Sequence, residues 1–374
     1  FKYNINTNTH PPISSPNLET GGPDWVSGIK DHGWINDNYL IYLQNKHGKT
    51  QLTKHSIKTN SEKTIKLNGQ NISDLEIKDS KICCLISSTN KIDNLITHDI
   101  KSKKTTKIAT AQVGIIEKRS ISKGKFIYHS KRKDLSGVLF IPNSKTHCPH
   151  PTIIHMHGGP TDSIGLKWRV DPHFYNSLGW AYCSINYRGS CGQGKNFEQA
   201  LNSHWGEYEI EDAKHMAEDL VKKKISLLKH LVILGSSAGG YSALMGLCTH
   251  GSFWKAGICL YGITDLIELE KTTHRFEKPY NQHLLGNLNN AENIWKNRSP
   301  INLVKKIQSP ILLFHGKKDK AVPFEQSLLF TKKMHSHKKL CSFFSLENEG
   351  HGFTDPESKK FVLEKIKCFL KENQ

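Results

Sequence analysis

The sequence has no long apolar run. Its 374 residues contain no continuous apolar segment of the roughly 18 to 20 residues that a membrane-spanning helix needs. The first residues also lack the basic and then apolar pattern of a signal peptide. We therefore expect a cytoplasmic protein with no membrane contact. Because the chain starts with Phe1 instead of methionine, we expect its true N-terminus further upstream, which leaves a signal peptide there as an open alternative.

Metal-binding patterns are missing as well. The 9 cysteines lack the Cys-x-x-Cys spacing of a zinc site, and several of them, such as Cys183 and Cys259, stand within apolar runs. An odd number of cysteines in apolar surroundings favours reduced, buried thiols in a cytoplasmic protein. His155 and His157 form a His-x-His pair, but no third ligand follows at a suitable spacing. The sequence thus predicts neither a metal nor a cofactor.

Acidic residues are few compared with basic ones. The chain has 52 Lys and Arg against 34 Asp and Glu, a formal net charge of +18. Such an excess can indicate a nucleic-acid partner, but the lysines are scattered and no basic motif is interleaved with aromatic residues. We interpret the charge as a solvated lysine coat and expect no nucleic-acid partner. The hydrophobic content of 36% is lean but sufficient for a folded core.

The N-terminal third repeats itself at an interval of 43 residues. Leu52 recurs as Leu95, and His55 recurs as His98. The copies contain short runs typical of strands, at 39–43, 51–57 and 82–87. A unit of about 40 to 45 residues built from short strands is typical of a β-propeller blade. We predict that residues 1–114 form about two blades, and we interpret the two histidines as solvent-facing positions on equivalent strands.

From about residue 115 onward, strand-like and helix-like segments alternate. Strands are predicted at 137–141, 152–156, 181–186, 231–234, 256–261, 311–315 and 340–346, and helices at 207–224, 324–335 and 358–371. This alternation predicts an α/β fold, in which helices cover both faces of a mainly parallel, doubly wound sheet.

A Gly-x-Ser-x-Gly turn follows the apolar run at 231–234. In this pattern, Gly235 and Gly239 allow a sharp turn from strand to helix, so that the Ser237 hydroxyl projects above the sheet edge. The helix predicted from Ala238 to Cys248 directs the positive end of its dipole toward that hydroxyl. The sequence predicts Ser237 as a nucleophile on an α/β-hydrolase fold, with the Ala238 amide placed to donate to an oxyanion.

A serine nucleophile requires a base, and the base requires an orienting carboxylate. In α/β-hydrolases the order along the chain is serine, acid and histidine, each after a strand. Asp319 follows the predicted strand at 311–315, and His351 follows the one at 340–346. We therefore predict a triad of Ser237, Asp319 and His351.

A His-Gly-Gly-Pro turn at 157–160 follows the predicted strand at 152–156. The second donor to the oxyanion is expected after this strand, and glycine amides can approach a reacting carbonyl closely. We expect the amide of Gly158 or Gly159 to complete the oxyanion hole together with Ala238.

The segment 152–369 resembles the catalytic domain of the prolyl oligopeptidase family of serine peptidases. The resemblance is closest to its acylaminoacyl-peptidase and dipeptidyl-peptidase-like branch. It rests on an ordered series of motifs: HGGP at 157–160, NYRGS at 186–190, GSSAGGYSAL at 235–244, THRFEKPY at 273–280, HGKKDKAVPFEQS at 315–327 and EGHGF at 349–353. It implies the same three triad residues and oligopeptide substrates cleaved through an acyl-enzyme.

The chain departs from this family in one respect. Members carry a complete propeller before the catalytic domain, whereas this sequence contains about two blades, so we expect it to be the C-terminal part of a longer protein. Aminopeptidase, dipeptidyl-peptidase and acylpeptide hydrolase activities all stay open, as does homo-oligomerisation. An esterase or lipase-like hydrolase would use the same triad, and a non-catalytic binding protein on this fold is the third alternative.

Overall fold

The structure is a computed structural model. It describes residues 30–112, 121–143, 149–273, 275 and 277–374, together with Asn8, Ile13, Thr20 and Gly28. The predicted boundary between residues 114 and 115, and most of the sequence before residue 30, lie outside the described residues.

The N-terminal part contains two separate four-stranded antiparallel sheets. The first consists of β1 (His32–Asn36), β2 (Tyr39–Lys46), β3 (Lys49–Ser56) and β4 (Ser61–Ile65), and the second of β5 (Asn71–Lys78), β6 (Lys81–Ser88), β7 (Lys91–Asp99) and β8 (Thr105–Thr110). An apolar layer that includes Ile41, Leu52 and Ile82 joins the two sheets. The 43-residue repeat therefore corresponds to two four-stranded units, as expected for two propeller blades.

The turn between β2 and β3 shows how the sequence sets the register of a hairpin. His47 and Gly48 have φ angles of 51° and 69°. Two consecutive residues with positive φ form the type I′ turn, whose twist matches that of the strands it connects. The register that results pairs Lys46 with Lys49 and Leu43 with Leu52.

The interpretation of His55 and His98 as solvent-facing residues was wrong. They do occupy equivalent positions, opposite Glu62 on β4 and Thr105 on β8, but they are only 2% and 6% exposed. The inner strands of stacked sheets are covered on both faces, so a polar side chain there need not point into solvent. The buried His98 side chain still has a hydrogen-bond partner, because its Nδ1 lies 2.8 Å from the Thr105 hydroxyl.

An eight-stranded sheet forms the base of the C-terminal part. Its strands are β9 (Lys125–Tyr128), β10 (Ser136–Phe140), β11 (His150–Met156), β12 (Ala181–Asn186), β13 (Ser226–Ser236), β14 (Ala256–Leu260), β15 (Ile311–Gly316) and β16 (Cys341–Leu346). Their order is β9-β10-β12-β11-β13-β14-β15-β16. Only the pairings of β10 with β9 and β12 are antiparallel, so the predicted mainly parallel sheet is confirmed.

Helices cover both faces of this sheet. The α-helices of the described residues are α1 (Val170–Ser177), α2 (Lys195–Gln199), α3 (Tyr208–Lys222), α4 (Ala238–Thr249), α5 (Leu266–Thr272), α6 (Lys278–Leu285), α7 (Leu288–Asn297), α8 (Phe324–Ser336) and α9 (Pro356–Glu372), and a 3₁₀ helix spans Pro300–Lys306. The predicted helices correspond to α3, α4, α8 and α9, with ends that differ by no more than two residues.

The alternation of side chains along the strands creates two apolar layers. Ile154 on β11 packs into the layer beneath α3, α4 and α8, whereas its neighbour Ile153 packs into the layer beneath α1 and α9. Successive strand residues point to opposite faces, so strands covered on both sides are apolar throughout. Within the described part of the chain, no helix is long and apolar enough to cross a membrane.

Candidate active site

Ser237 lies at the turn between β13 and α4. Its backbone has φ 54° and ψ −125°, a combination that costs free energy for any residue with a side chain. The flanking glycines are required by space: a Cβ on Gly235 would lie 2.1 Å from the carbonyl oxygen of Gly239, and one on Gly239 would lie 2.2 Å from that of Met156. The Gly-x-Ser-x-Gly pattern thus reflects how tightly the turn is packed.

The three residues predicted as a triad lie in hydrogen-bonding distance of one another. Nε2 of His351 is 2.9 Å from Oγ of Ser237, and Nδ1 of His351 is 2.8 Å from Oδ2 of Asp319. The Asp319 side chain is fully buried, while that of His351 is 30% exposed. The imidazole therefore connects a buried carboxylate to a hydroxyl at the accessible edge of the sheet.

The loop after β15 holds the Asp319 carboxylate in place. Its Oδ1 accepts hydrogen bonds of 2.9 Å from the backbone amides of Ala321 and Val322. Burial alone raises the pKa of Asp319, but hydrogen bonds from His315, His351 and the Val322 amide outweigh burial and hold the pKa well below its ordinary value. Asp319 is therefore ionised at neutral pH.

A second carboxylate organises the loop that carries His351. Glu349 is 2% exposed and accepts hydrogen bonds from the backbone amides of Thr354 at 2.9 Å and Asp355 at 3.0 Å. Gly352 within the same loop has φ 104°, a conformation that favours glycine. Within the motif Glu-Gly-His-Gly-Phe, Glu349 and Gly352 thus hold the loop that carries the His351 imidazole.

The residues predicted for the oxyanion hole lie next to Ser237. A Cβ built on Gly158 would be 3.3 Å from the Ser236 carbonyl oxygen and 3.7 Å from Cβ of Ser237, so the turn at 158–159 packs directly against the serine. Ala238 is the first residue of α4, and amides of the first helical turn have no partner within their own helix. The structure brings all six predicted site residues to one edge of the sheet.

A buried network holds the turn at 158–159. Nδ1 of His157 lies 2.8 Å from the Gly158 carbonyl, and Nε2 lies 2.7 Å from the Ser190 hydroxyl. The Tyr187 hydroxyl donates to the carbonyls of His157 at 3.0 Å and Pro160 at 2.9 Å, and its ring stacks on the imidazole. Because burial lowers the pKa of His157, its neutral form supports the turn.

His155 and His157 do not converge on a common ligand position. His155 lies 3.0 Å from the Ser184 hydroxyl and stacks on Tyr182, whereas His157 contacts Ser190. In the part of the chain that the structure describes, no group of three or more His, Cys, Asp or Glu side chains is placed to hold a metal ion.

Sequence reasoning missed Tyr261, which contacts the His351 ring. The two ring centroids are 4.9 Å apart, and Phe353 also packs against Tyr261, at 5.2 Å between centroids. Tyr261 has φ 41°, which is unusual for an aromatic residue, and its amide donates to the Phe314 carbonyl at 2.7 Å. A strained, anchored aromatic residue beside the imidazole limits how far that ring can turn.

Glu209 on α3 is a buried acid that the sequence also did not reveal. Its Oε1 accepts from the Gly206 amide at 2.8 Å and from the Ser242 hydroxyl at 3.3 Å. Burial raises its pKa to about 7, although these hydrogen bonds act in the opposite direction. Ser242 lies on α4, five residues after Ser237, so this acid contacts the helix behind the serine.

A cavity of about 1040 Å³ opens between the first N-terminal sheet and the C-terminal part. Its wall includes His47 and Gly48 of the β2–β3 turn, Phe126 of β9 and residues 162–165. Residues 162–165 continue directly from the turn at 158–159. The cavity therefore extends along the same loop that approaches Ser237.

The C-terminal part of the chain matches a known protein family. The profile of the prolyl oligopeptidase family matches residues 167–374, more than half of the chain. The chain belongs to the prolyl oligopeptidase family.

Two curated relatives show the level of similarity within this family. The chain is 28% identical over 247 residues to a dipeptidyl aminopeptidase of Pseudoxanthomonas mexicana. The aligned region covers 61% of this chain and 35% of the relative. The chain is also 26% identical over 203 residues to an acylamino-acid-releasing enzyme of Mus musculus, covering 52% of this chain and 28% of the relative. The chain thus spans about a third of the length of these relatives.

A solved structure supports the fold of almost the whole chain. A puromycin-hydrolysing peptidase of Mycobacterium tuberculosis superimposes with a TM-score of 0.89 over 97% of this chain and 56% of its own, at 23% identity. This likeness confirms the α/β-hydrolase sheet preceded by a propeller-like part.

Proposed function

We propose that this chain hydrolyses oligopeptides through an acyl-enzyme formed on Ser237. One observation carries the proposal: the hydroxyl of Ser237, the imidazole of His351 and the carboxylate of Asp319 form a continuous chain, with links of 2.9 and 2.8 Å. In this arrangement a proton can leave the hydroxyl as its oxygen attacks a carbonyl carbon.

The first half-reaction forms the acyl-enzyme. Nε2 of His351 accepts the proton of Ser237 while Oγ bonds to the carbonyl carbon of the peptide. The same imidazole then gives that proton to the leaving nitrogen, and the C–N bond breaks. The ionised Asp319 fixes the imidazole by accepting from its Nδ1–H and stabilises the imidazolium between these two steps.

The second half-reaction releases the acid product. A water molecule gives one proton to Nε2 of His351, and its oxygen attacks the ester carbon. The proton returns to Oγ of Ser237 as the ester bond breaks. In both halves the negative carbonyl oxygen is stabilised by the amide of Ala238 and by that of Gly158 or Gly159.

We also propose a division into two domains: a partial propeller at 1–114 and the catalytic domain at 115–374. The support is the connectivity, since β1–β8 form two small sheets whereas β9–β16 all join one large sheet. The cavity of about 1040 Å³ lies between these two parts. Residues 162–165 line this cavity and follow the turn at 158–159 in the sequence.

The nucleophile is tested with a fluorophosphonate probe and a set of fluorogenic peptide amides. Ser237→Ala should abolish both labelling and turnover, because any residual catalysis comes from the oxyanion hole and binding alone. Ser236→Ala, which changes the adjacent serine, is the matched control and should still be labelled. Full labelling of the Ser237→Ala protein would overturn the assignment, and ester hydrolysis without any amide hydrolysis would favour an esterase.

A further inference from the structure

A second histidine lies behind the carboxylate of Asp319. His315 is on β15 and its side chain is fully buried. Its Nδ1 lies 2.6 Å from the Ser327 hydroxyl on α8, and its Nε2 lies 2.9 Å from the Val322 carbonyl and 3.2 Å from Oδ2 of Asp319. The two half-reactions at Ser237 proceed without a proton transfer to or from this residue.

The neighbours of His315 determine where its proton lies. Nε2 faces two oxygens that only accept, the Val322 carbonyl and the Asp319 carboxylate, so this nitrogen carries hydrogen. The Ser327 hydroxyl on the opposite side lies 2.6 Å from Nδ1 and can donate to it. The Nε2–H donates to the Val322 carbonyl, and the carboxylate oxygen of Asp319 lies 3.2 Å from the same nitrogen.

Two imidazoles therefore meet at one oxygen. Oδ2 of Asp319 lies 2.8 Å from Nδ1 of His351 and 3.2 Å from Nε2 of His315. His351 approaches from the accessible side and His315 from the interior, while Oδ1 is occupied by two backbone amides. The bond from His315 to the Val322 carbonyl also closes the loop that supplies one of these amides.

Other ionisable groups around this loop have partners of their own or lie in solvent. Among the described residues, these are Lys317 with Glu347, Lys318 with Asn348, Glu349 with the amides of Thr354 and Asp355, Tyr261 against the His351 ring, and the exposed Lys320. The two histidines are thus the side chains that donate to the Asp319 carboxylate.

We propose that His315 is a positioning residue of the active site, which holds the Asp319 loop and shares Oδ2 with His351. The proposal rests on the proposed function, because it acts only through the Asp319–His351 pair. Sharing has an electrostatic consequence: a carboxylate oxygen that already receives one N–H binds a second less strongly. His315 therefore orients the acid and at the same time moderates its interaction with His351.

The test compares two substitutions of His315. His315→Met keeps an apolar volume but removes the donor, whereas His315→Gln places an amide N–H close to the position of Nε2. In metal sites, loss of a partner that orients a ligand costs about 10- to 100-fold, and we expect a loss of kcat in this range for His315→Met, with KM changed less than about twofold. His315→Gln should recover most of this loss.

The pH profile separates positioning from general damage. With the competing donor gone, the hydrogen bond from Nδ1–H of His351 to Asp319 changes in strength. The pH at which kcat/KM reaches half of its plateau should therefore shift in His315→Met and return in His315→Gln. A variant with unchanged kcat and an unchanged profile would overturn the proposal.

A double-mutant comparison shows whether His315 acts through Asp319. In an Asp319→Asn background, His315→Met should have almost no further effect on kcat, whereas independent effects would add. Full additivity would overturn the proposal. If His315→Met fails to fold by circular dichroism, the same comparison is made with Ser327→Ala, which removes the partner of Nδ1. Failure of the proposed function is distinct, since it would appear as activity that survives in Ser237→Ala.

Discussion

The hydroxyl of Ser242 lies 3.3 Å from Oε1 of Glu209, which places a buried acid against the helix that starts behind Ser237. The other carboxyl oxygen of Glu209 has no hydrogen-bond partner among the described residues. An unpartnered oxygen in the interior favours the protonated acid, in agreement with a pKa raised by burial to about 7.

This acid makes folding stability depend on pH. The folded pKa of about 7 lies above the ordinary glutamate pKa of 4.5, so between these values the folded protein keeps a proton that the unfolded chain has released. Stability should fall as pH rises through this window and then level off, by on the order of 3 kcal/mol for this group. Asp319, whose folded pKa is lowered, loses its contribution to folding stability only in more acidic solution.

Glu209→Gln tests this prediction because it keeps an acceptor for Gly206 and Ser242 but cannot ionise. Urea unfolding gives the free energy of unfolding of both proteins at pH 5 and pH 8. This free energy should change less between the two pH values in the variant than in the unmodified protein. Parallel pH dependences would show that Glu209 ionises normally in the folded protein.

Asp319→Asn should lower kcat/KM by several orders of magnitude while the protein stays folded. An amide presents hydrogens as well as oxygen to Nδ1 of His351, so the imidazole loses the partner that fixes its tautomer. Steady-state kinetics and circular dichroism measure the two effects. Asp355→Asn, which replaces the cap of α9 by another good capping residue, is the control and should stay near normal turnover.

Gly239→Ala should destabilise the protein by about 3 kcal/mol or more, because its methyl group would meet backbone atoms that cannot move aside. Gly179→Ala is the comparison: its methyl group meets nothing within 4 Å, but φ is 86°. We expect that variant to lose only about 1 kcal/mol from backbone strain. Equal losses in thermal unfolding would contradict the steric account of the Gly-x-Ser-x-Gly turn.

Tyr187→Phe should lower kcat about tenfold with little change in KM, since it removes the hydroxyl that binds the carbonyls of His157 and Pro160. The turn at 158–159 would then hold its amides less firmly against the developing oxyanion. Tyr175→Phe removes a hydroxyl that is equally buried but lies on α1, away from this turn. A loss of kcat in both variants alike would indicate a general effect of core hydroxyls.

Local patterns were enough to predict the parts of the site that depend on neighbouring residues. Strand β13, the turn at Ser237 and helix α4 are continuous in the chain, and the positions of Asp319 and His351 follow from the strands that precede them. Strand β9, which has only four residues, was missed, and so was α7, whose helical conformation is interrupted at Ala291.

The supporting residues were not predictable in the same way. Glu209 and Ser242 are 33 residues apart, and Tyr187 lies 27 residues from Pro160. Each contact forms only after strands are ordered in the sheet, so no spacing in the sequence indicates it. Burial was also not predictable from the local sequence. His55 and His98 were interpreted as exposed because they are polar residues within strands, but a second layer covers them.

The β2–β3 turn, described above for its twist, also touches the C-terminal part. The Gly48 carbonyl accepts from the Leu166 amide, and a Cβ on Gly48 would lie 2.2 Å from the ring of Phe126. Leu166 stands eight residues after Gly158 on the same loop. A displacement of the first sheet would therefore move this loop and, through it, the amides beside Ser237. The geometry of the site thus depends on the position of that sheet.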